Sequence, residues 1–188
     1  RRPREGLFVD ADNVAVRDPA YFFDTAQFRE FGTIFWPDFG RLGRDRLAWR
    51  VFGDIPYRDE WEVESGQIVG DKARCWPALE LCHWYRQNSN NFFFNQVHGD
   101  KEVCHLAWRK LGLEYAMPSR GIDALPGVMC QHDFEGHRVF QHRNMRKWSF
   151  YHNPPTPRFQ YEDDCLRLIA DLRAKWSPAA QTLPCEAD

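Results

Sequence analysis

An apolar run, Leu7-Phe8-Val9, stops abruptly at Asp10-Ala11-Asp12-Asn13. Any strand formed by that run ends by presenting two carboxylates. A continuous apolar run reads as a strand buried on both faces, as in a parallel sheet. In open α/β sheets, ligands collect just outside the carboxyl ends of the strands. Two hard oxygen ligands two residues apart suit a divalent cation that also holds phosphate oxygens. Asp after a strand also serves as a turn former or helix N-cap, so the pattern alone leaves both readings open.

The chain of 188 residues is long enough for one substantial core. Its formal net charge of -2 provides no basic footprint, so no nucleic-acid partner is expected. Aromatic residues make up 15% of the chain, with 8 Trp and 15 Phe, and flat rings serve both in cores and as platforms for sugars. No apolar stretch approaches the roughly 20 residues of a membrane helix, so no membrane segment is expected. The six cysteines, Cys75, Cys82, Cys104, Cys130, Cys165 and Cys185, show no Cys-x-x-Cys spacing. A zinc knuckle is therefore not expected, and the thiols are buried or bridged.

Arg17-Asp18-Pro19 reads as a turn, followed by one or two helical turns from Asp24 to Phe31. Gly32 to Trp36 forms the next strand and ends at Pro37-Asp38. Residues 41–60 are charged and aromatic without period, and read mostly as a mobile or substrate-facing loop with a short helix near Leu47, Val51 and Phe52. Glu64-Ser65-Gly66-Gln67 opens a short β-run, Ile68-Val69, leading into a helix from Lys72 to Arg86. Pro77 would move the start of that helix towards Cys75. A second helix carries Val103, Leu106, Ala107 and Leu111 on one face, with Asp100 as its N-cap. Val128 to His132 and Val139 to His142 form a hairpin around Asp133-Phe134-Glu135-Gly136. A stiff Asn153-Pro154-Pro155-Thr156-Pro157 linker then leads into an amphipathic helix bearing Leu166, Ile169 and Leu172.

Five ordered blocks narrow the reading. They are Val9 to Asn13, Phe35-Trp36-Pro37-Asp38, Asp59 to Gln67, Gly99-Asp100-Lys101-Glu102, and Phe140-Gln141-His142-Arg143-Asn144. Together they resemble the fungal α-mannosyltransferases, nucleotide-sugar enzymes of type A, from about Phe8 to Trp148. The fold that the resemblance implies is α/β: a GT-A-like mixed sheet flanked by helices, with an incomplete Rossmann-like half and an acceptor-side half. Residues 1–152 would be the catalytic region, and 153–188 the linker, helix and tail. The nucleotide-binding part normally precedes the Asp-x-Asp, so the resemblance implies that much of it is missing here.

The resemblance also implies the site. Asp10 and Asp12, completed by His142, would hold Mn²⁺ or Mg²⁺ against the diphosphate, and Lys147 would add a second cation. His132, at the matching end of the partner strand, is the substitute ligand. Asp100, Glu64 and Gln67 would be catalytic. Asp10, Asn13, Trp36, Asp38, Ser65, Gly66, Lys101 and Lys147 would bind the donor or acceptor. For Trp36 the sugar-platform and plain-core readings both stand. The function implied is retaining transfer of a sugar, mannose from GDP-mannose, to a glycan acceptor in the Golgi lumen. The alternatives are a UDP-sugar donor, a carbohydrate-binding fragment without turnover, or metal-dependent phosphate-ester hydrolysis. The last lacks a nucleophile motif.

Overall fold

The computed structural model describes residues 4–89, 97 and 101–176. One antiparallel sheet has the order β1-β4-β3, built from Glu5–Val9 (β1), Trp61–Asp71 (β4) and Thr33–Arg41 (β3). The other has the order β2-β7-β6-β5, built from Asn13–Ala15 (β2), Arg138–His142 (β7), Val128–His132 (β6) and Asp123–Leu125 (β5). Among the described residues the α-helices are α1 (Ala26–Phe31), α2 (Ala48–Val51), α3 (Lys72–Gln87), α4 (Lys101–Lys110) and α5 (Glu162–Lys175), with a 3-10 helix at Pro19–Asp24 before α1. The α/β class is the expected one, but the pairing corrects the reading of β1. It runs antiparallel to β4, with Leu7 opposite Val69 and Val9 opposite Gln67, and Phe8 is 56% exposed. Three apolar residues in a row cannot distinguish a doubly buried strand from a half-covered edge.

Strand β3 divides the core by simple alternation of its side chains. Phe35 points towards the helices and meets Trp108 and Tyr115 edge-on, in a cluster with Ala78 of α3 and Leu106 of α4. Ile34 and Trp36 point the other way, into a cluster with Phe22, Val139 and Phe140 that joins the two sheets. Trp36 has no exposed surface and packs edge-on against Phe22 and Phe140. Its indole N–H donates to the carbonyl of His132 at 2.9 Å. Of the two readings of Trp36, the structure takes the core one.

The register of β3 against β4 slips where the function-bearing residues lie. Ile34 faces Val69, yet Trp36 faces Glu64, so two steps along β3 correspond to five along β4. The three extra residues form a bulge in the central strand, a device that commonly re-aims side chains beside active sites. Only Ile68-Val69 looks strand-like in sequence because Glu62, Glu64, Ser65 and Gly66 interrupt the apolar alternation. A second slip, between Pro37 and Arg41, lets β3 continue beyond its expected end at Pro37. Proline, lacking an N–H, is accommodated at such irregular positions.

Other local expectations are corrected for identifiable reasons. α3 starts at Lys72, as read from the sequence, and Pro77 does not move it towards Cys75, because the Asp71 carboxylate accepts from the amides of Ala73 and Arg74. The helix therefore carries Pro77 inside it. The hairpin β6–β7 forms as expected, but β2 and β5 add strands too short to show a period. The apolar stripe of α5 packs weakly, with Leu168 and Leu172 exposed and no residue of the helix fully buried.

Residues 41–60 are packed rather than open, since Leu42, Ala48, Trp49, Phe52 and Ile55 are all buried. Glu60 anchors the end of this segment. Its carboxylate bonds the His105 ring at 2.9 Å, Tyr115 Oη at 2.7 Å and the Arg109 guanidinium. Burial alone would raise the Glu60 pKa, but the hydrogen bond and charge of His105, the Tyr115 hydroxyl and the Arg109 charge outweigh it and hold it at about 2. A carboxylate held below its usual 4.5 contributes stability that is fully present above pH 4.5 and is lost as the pH falls through about 2. Glu60→Gln should destabilise the protein at neutral pH by about 1–2 kcal/mol, after allowing for solvent screening. The gap from wild type should close as the pH approaches 2 in denaturant titrations; a gap that does not vary with pH would remove the ionic account.

Candidate functional site

The turn Asp10-Ala11-Asp12-Asn13 connects the two sheets, and both hold it by the backbone. The Asn13 amide donates to the carbonyl of Asp10 at 3.0 Å, closing a four-residue turn. The Asp10 amide donates to the carbonyl of Gly66 at 2.9 Å, in the bulge of β4. From the second sheet, the Arg143 amide donates to the carbonyl of Asp12 at 3.0 Å, and Asn13 pairs with His142. The Asn13 side-chain amide then reaches the carbonyl of Gly66 at 3.0 Å and the Gln67 side chain at 2.5 Å.

This arrangement brings Asp10, Asp12 and His142 together. One ligand atom from each lies within 4.8 Å of the other two. His142 Nε2 lies 3.1 Å from Asp12 Oδ1 and 3.8 Å from Asp10 Oδ2. The opposite ring nitrogen, Nδ1, is buried without a hydrogen-bond partner and lies 3.7 Å from Glu64 Oε1. Two carboxylates and an imidazole form a donor set suited to Mn²⁺ or Mg²⁺. A carboxylate behind the far nitrogen is the usual way to orient a ligating histidine. The residues present therefore fit a divalent ion. His142 approaches so closely that a Cβ on Gly66 would lie 2.5 Å from Nδ1, closer than real contacts allow.

Around this triad lies a second group of charges. Glu64 accepts from the Gly66 amide at 2.8 Å, and burial raises its pKa despite that bond and the nearby His142. Lys101, at the start of α4, is paired with Asp38 and lies 3.6 Å from Glu62. Burial opposes its charge, but the bond to Asp38 and the charges of Asp38 and Glu62 prevail and raise its pKa. Lys147 is bonded to Asp12 from the open side, its own side chain 62% exposed. Asp10 and Ser65 lie at the edge of a cavity of about 630 Å³ walled by Leu7, Ile68, Leu79 and Val103.

The expected site residues thus separate into three groups. Asp10, Asp12, Glu64, Gly66, His142 and Lys147 converge, and Asp38 and Lys101 form an ion pair close enough to bias Glu64. Asn13, Gln67 and Trp36 are buried: Asn13 and Gln67 bond each other beside the turn, and Trp36 donates to the carbonyl of His132. His132 lies at the turn end of the hairpin, opposite Arg138, whereas His142 lies opposite Met129. In an antiparallel hairpin the two carboxyl ends cannot coincide, so His132 is not at the matching end and pairs with Asp123 instead, at 3.2 Å. Asp100 lies outside the described residues. Glu62 was not singled out in the sequence, although its spacing of two from Glu64 on one strand was the available signal.

Residues 4–60, less than a third of the chain, match the protein family described as "Mannosyltransferase putative". Alpha-1,2-mannosyltransferase MNN5 of Saccharomyces cerevisiae is 22% identical over 191 residues, covering 72% of this chain and 33% of that protein. Alpha-1,2-mannosyltransferase MNN23 of Candida albicans is 21% identical over 222 residues, covering 94% of this chain and 35% of that protein. The chain thus spans about a third of the length of these relatives.

The close approach at Gly66 is directly testable. Gly66→Ala should cost about 2 kcal/mol in denaturant unfolding, because the added methyl displaces His142. Gly70→Ala, in the same strand, would place its Cβ at an ordinary 3.6 Å from Cys75 Sγ and should cost less than about 0.5 kcal/mol. Equal costs for the two would mean that His142 does not occupy the Gly66 position.

Proposed function

Starting from the MNN-like mannosyltransferase family that these matches support, we propose that the chain carries the metal side of a retaining, metal-dependent mannosyltransferase site. The donor is GDP-mannose and the acceptor a glycan. The observation that carries this reading is the convergence of Asp10, Asp12 and His142 on one point between the sheets. The same reading carries a Golgi-luminal setting for the activity as part of the proposal. Among the described residues, no helix is long and apolar enough to cross a membrane.

Sugar transfer from a nucleotide builds positive charge at the anomeric carbon and negative charge on the departing diphosphate. A divalent ion held by Asp10, Asp12 and His142 supplies Lewis acidity to that leaving group. Lys147, exposed beside Asp12, offers a mobile positive charge for a phosphate oxygen. Glu64 lies behind His142, 3.7 Å from its Nδ1, and adds a negative charge on that side of the ring. Asp38 and Glu62, neutralised by Lys101, present carboxylate oxygens that can accept from sugar hydroxyls.

The test is incubation of the chain with Mn²⁺, a panel of GDP- and UDP-sugars and an α-mannoside, following nucleotide release and acceptor extension. Transfer from GDP-mannose alone is the expected result. Transfer only from a UDP-sugar would reassign the donor, and saccharide binding without transfer by any donor would reduce the chain to a binding module. In calorimetry, Asp12→Asn should abolish Mn²⁺ binding while leaving the circular dichroism spectrum intact. His142→Ala should weaken that binding at least tenfold, and His132→Ala should leave it unchanged. Equal losses for the two histidine variants would remove His142 from the ligand set.

A further inference from the structure

Away from the triad, α3 and α4 pack against each other and each turns a cysteine towards their shared face. Cys82 of α3 and Cys104 of α4 are both half-buried, and both line the cavity that opens beside Asp10. Cys82 Sγ lies 3.8 Å from the carbonyl of Val103, the residue preceding Cys104. Of the groups around Cys82, the Cys104 thiol acts on it most strongly, and together with burial it drives the Cys82 pKa strongly upward. Cys75, two helical turns before Cys82, influences it from further off and is itself buried. Two thiols carried by packed neighbouring helices, one Sγ already against the backbone of the residue before the other, need little backbone movement to reach bonding distance.

We propose that Cys82 and Cys104 form a disulfide that ties α3 to α4 along the wall of this cavity. The oxidant is a small-molecule disulfide such as oxidised glutathione. One cysteine thiolate attacks a glutathione sulfur, the S–S bond of glutathione breaks, and the departing thiolate takes up a proton. The second cysteine, as thiolate, attacks the protein-side sulfur of the mixed disulfide and expels the other glutathione thiolate. Two protein thiols are oxidised and one glutathione disulfide is reduced to two thiols. A thiol held protonated by its neighbour and by burial enters this exchange slowly, which suits a lasting tie rather than a rapid switch. The bridge closes a loop through residues 83–103 and stabilises mainly by restricting the unfolded chain.

The experiment oxidises the folded chain with glutathione disulfide at about pH 8, where thiolate is available, and maps the peptides without reduction. Trypsin leaves Cys75 and Cys82 together in residues 75–86 and Cys104 in residues 102–109. The expected product is a cross-link between these two peptides. It should persist in Cys75→Ser and be lost in both Cys82→Ser and Cys104→Ser. The oxidised wild type should melt roughly 5 °C higher than the reduced form. A cross-link that survives Cys82→Ser and vanishes in Cys75→Ser would overturn the pairing. So would two thiols that remain fully alkylatable after oxidation of a chain whose circular dichroism shows it folded.

Discussion

The site depends on one acceptor, the carbonyl oxygen of Gly66. It takes the backbone N–H of Asp10 and the side-chain N–H of Asn13, and a carbonyl has two lone pairs with which to accept both. The first bond fixes the start of the Asp-x-Asp turn, and the second fixes its end. Because Gly66 lies in the bulge of β4, the turn is seated where that strand departs from regular pairing. The missing side chain of Gly66 is what admits the ring of His142. One residue thus docks the first sheet, the turn and the second sheet together, and the positions of Asp10, Asp12 and His142 follow from that docking.

Much of the candidate site was legible in the sequence, but its geometry was not. Asp10, Asp12, His142 and Gly66 sit in short ordered blocks, and a block of residue types carries chemistry without needing a period. The bulge in β4 was hidden because three extra residues leave no alternation to count. The direction of β1 was hidden because three apolar residues specify neither the sense of pairing nor how many faces are covered. Trp36 could not be assigned between platform and core, since both uses demand a large ring; the decision came from Phe22 and Phe140, which lie far from it in the chain. The packing of residues 41–60 escaped notice for a similar reason: Trp49 and Phe52 are anchored by distant partners rather than by a local period.

The pairing of Lys101 with Asp38 illustrates the long-range part of the problem. Lys101 engages a residue 63 positions away, together with Glu62. Burial determines this outcome. Asp38 is 4% exposed, and an unpaired carboxylate there is costly, so the nearest cation is drawn to it.

The same reasoning explains the arrangement of charge across the whole site. Asp10, Asp12, Glu64, Glu62 and Asp38 place five carboxylates in one region, and opposite charges about 4 Å apart in a partly buried setting attract by about 4 kcal/mol. The buried end, Asp38 and Glu62, is answered by a cation that is itself mostly buried, since the Lys101 side chain is 20% exposed. The open end, Asp12, is answered by Lys147 at 62% exposed, where solvent screening makes the attraction weak. The site is therefore stiffly neutralised at the α4 side and loosely neutralised at the Asp10 and Asp12 side. A loosely held cation yields its carboxylate at little cost. By this asymmetry the turn between the sheets is the part of the site whose carboxylates are most easily released, whereas Asp38 and Glu62 stay in the grip of Lys101.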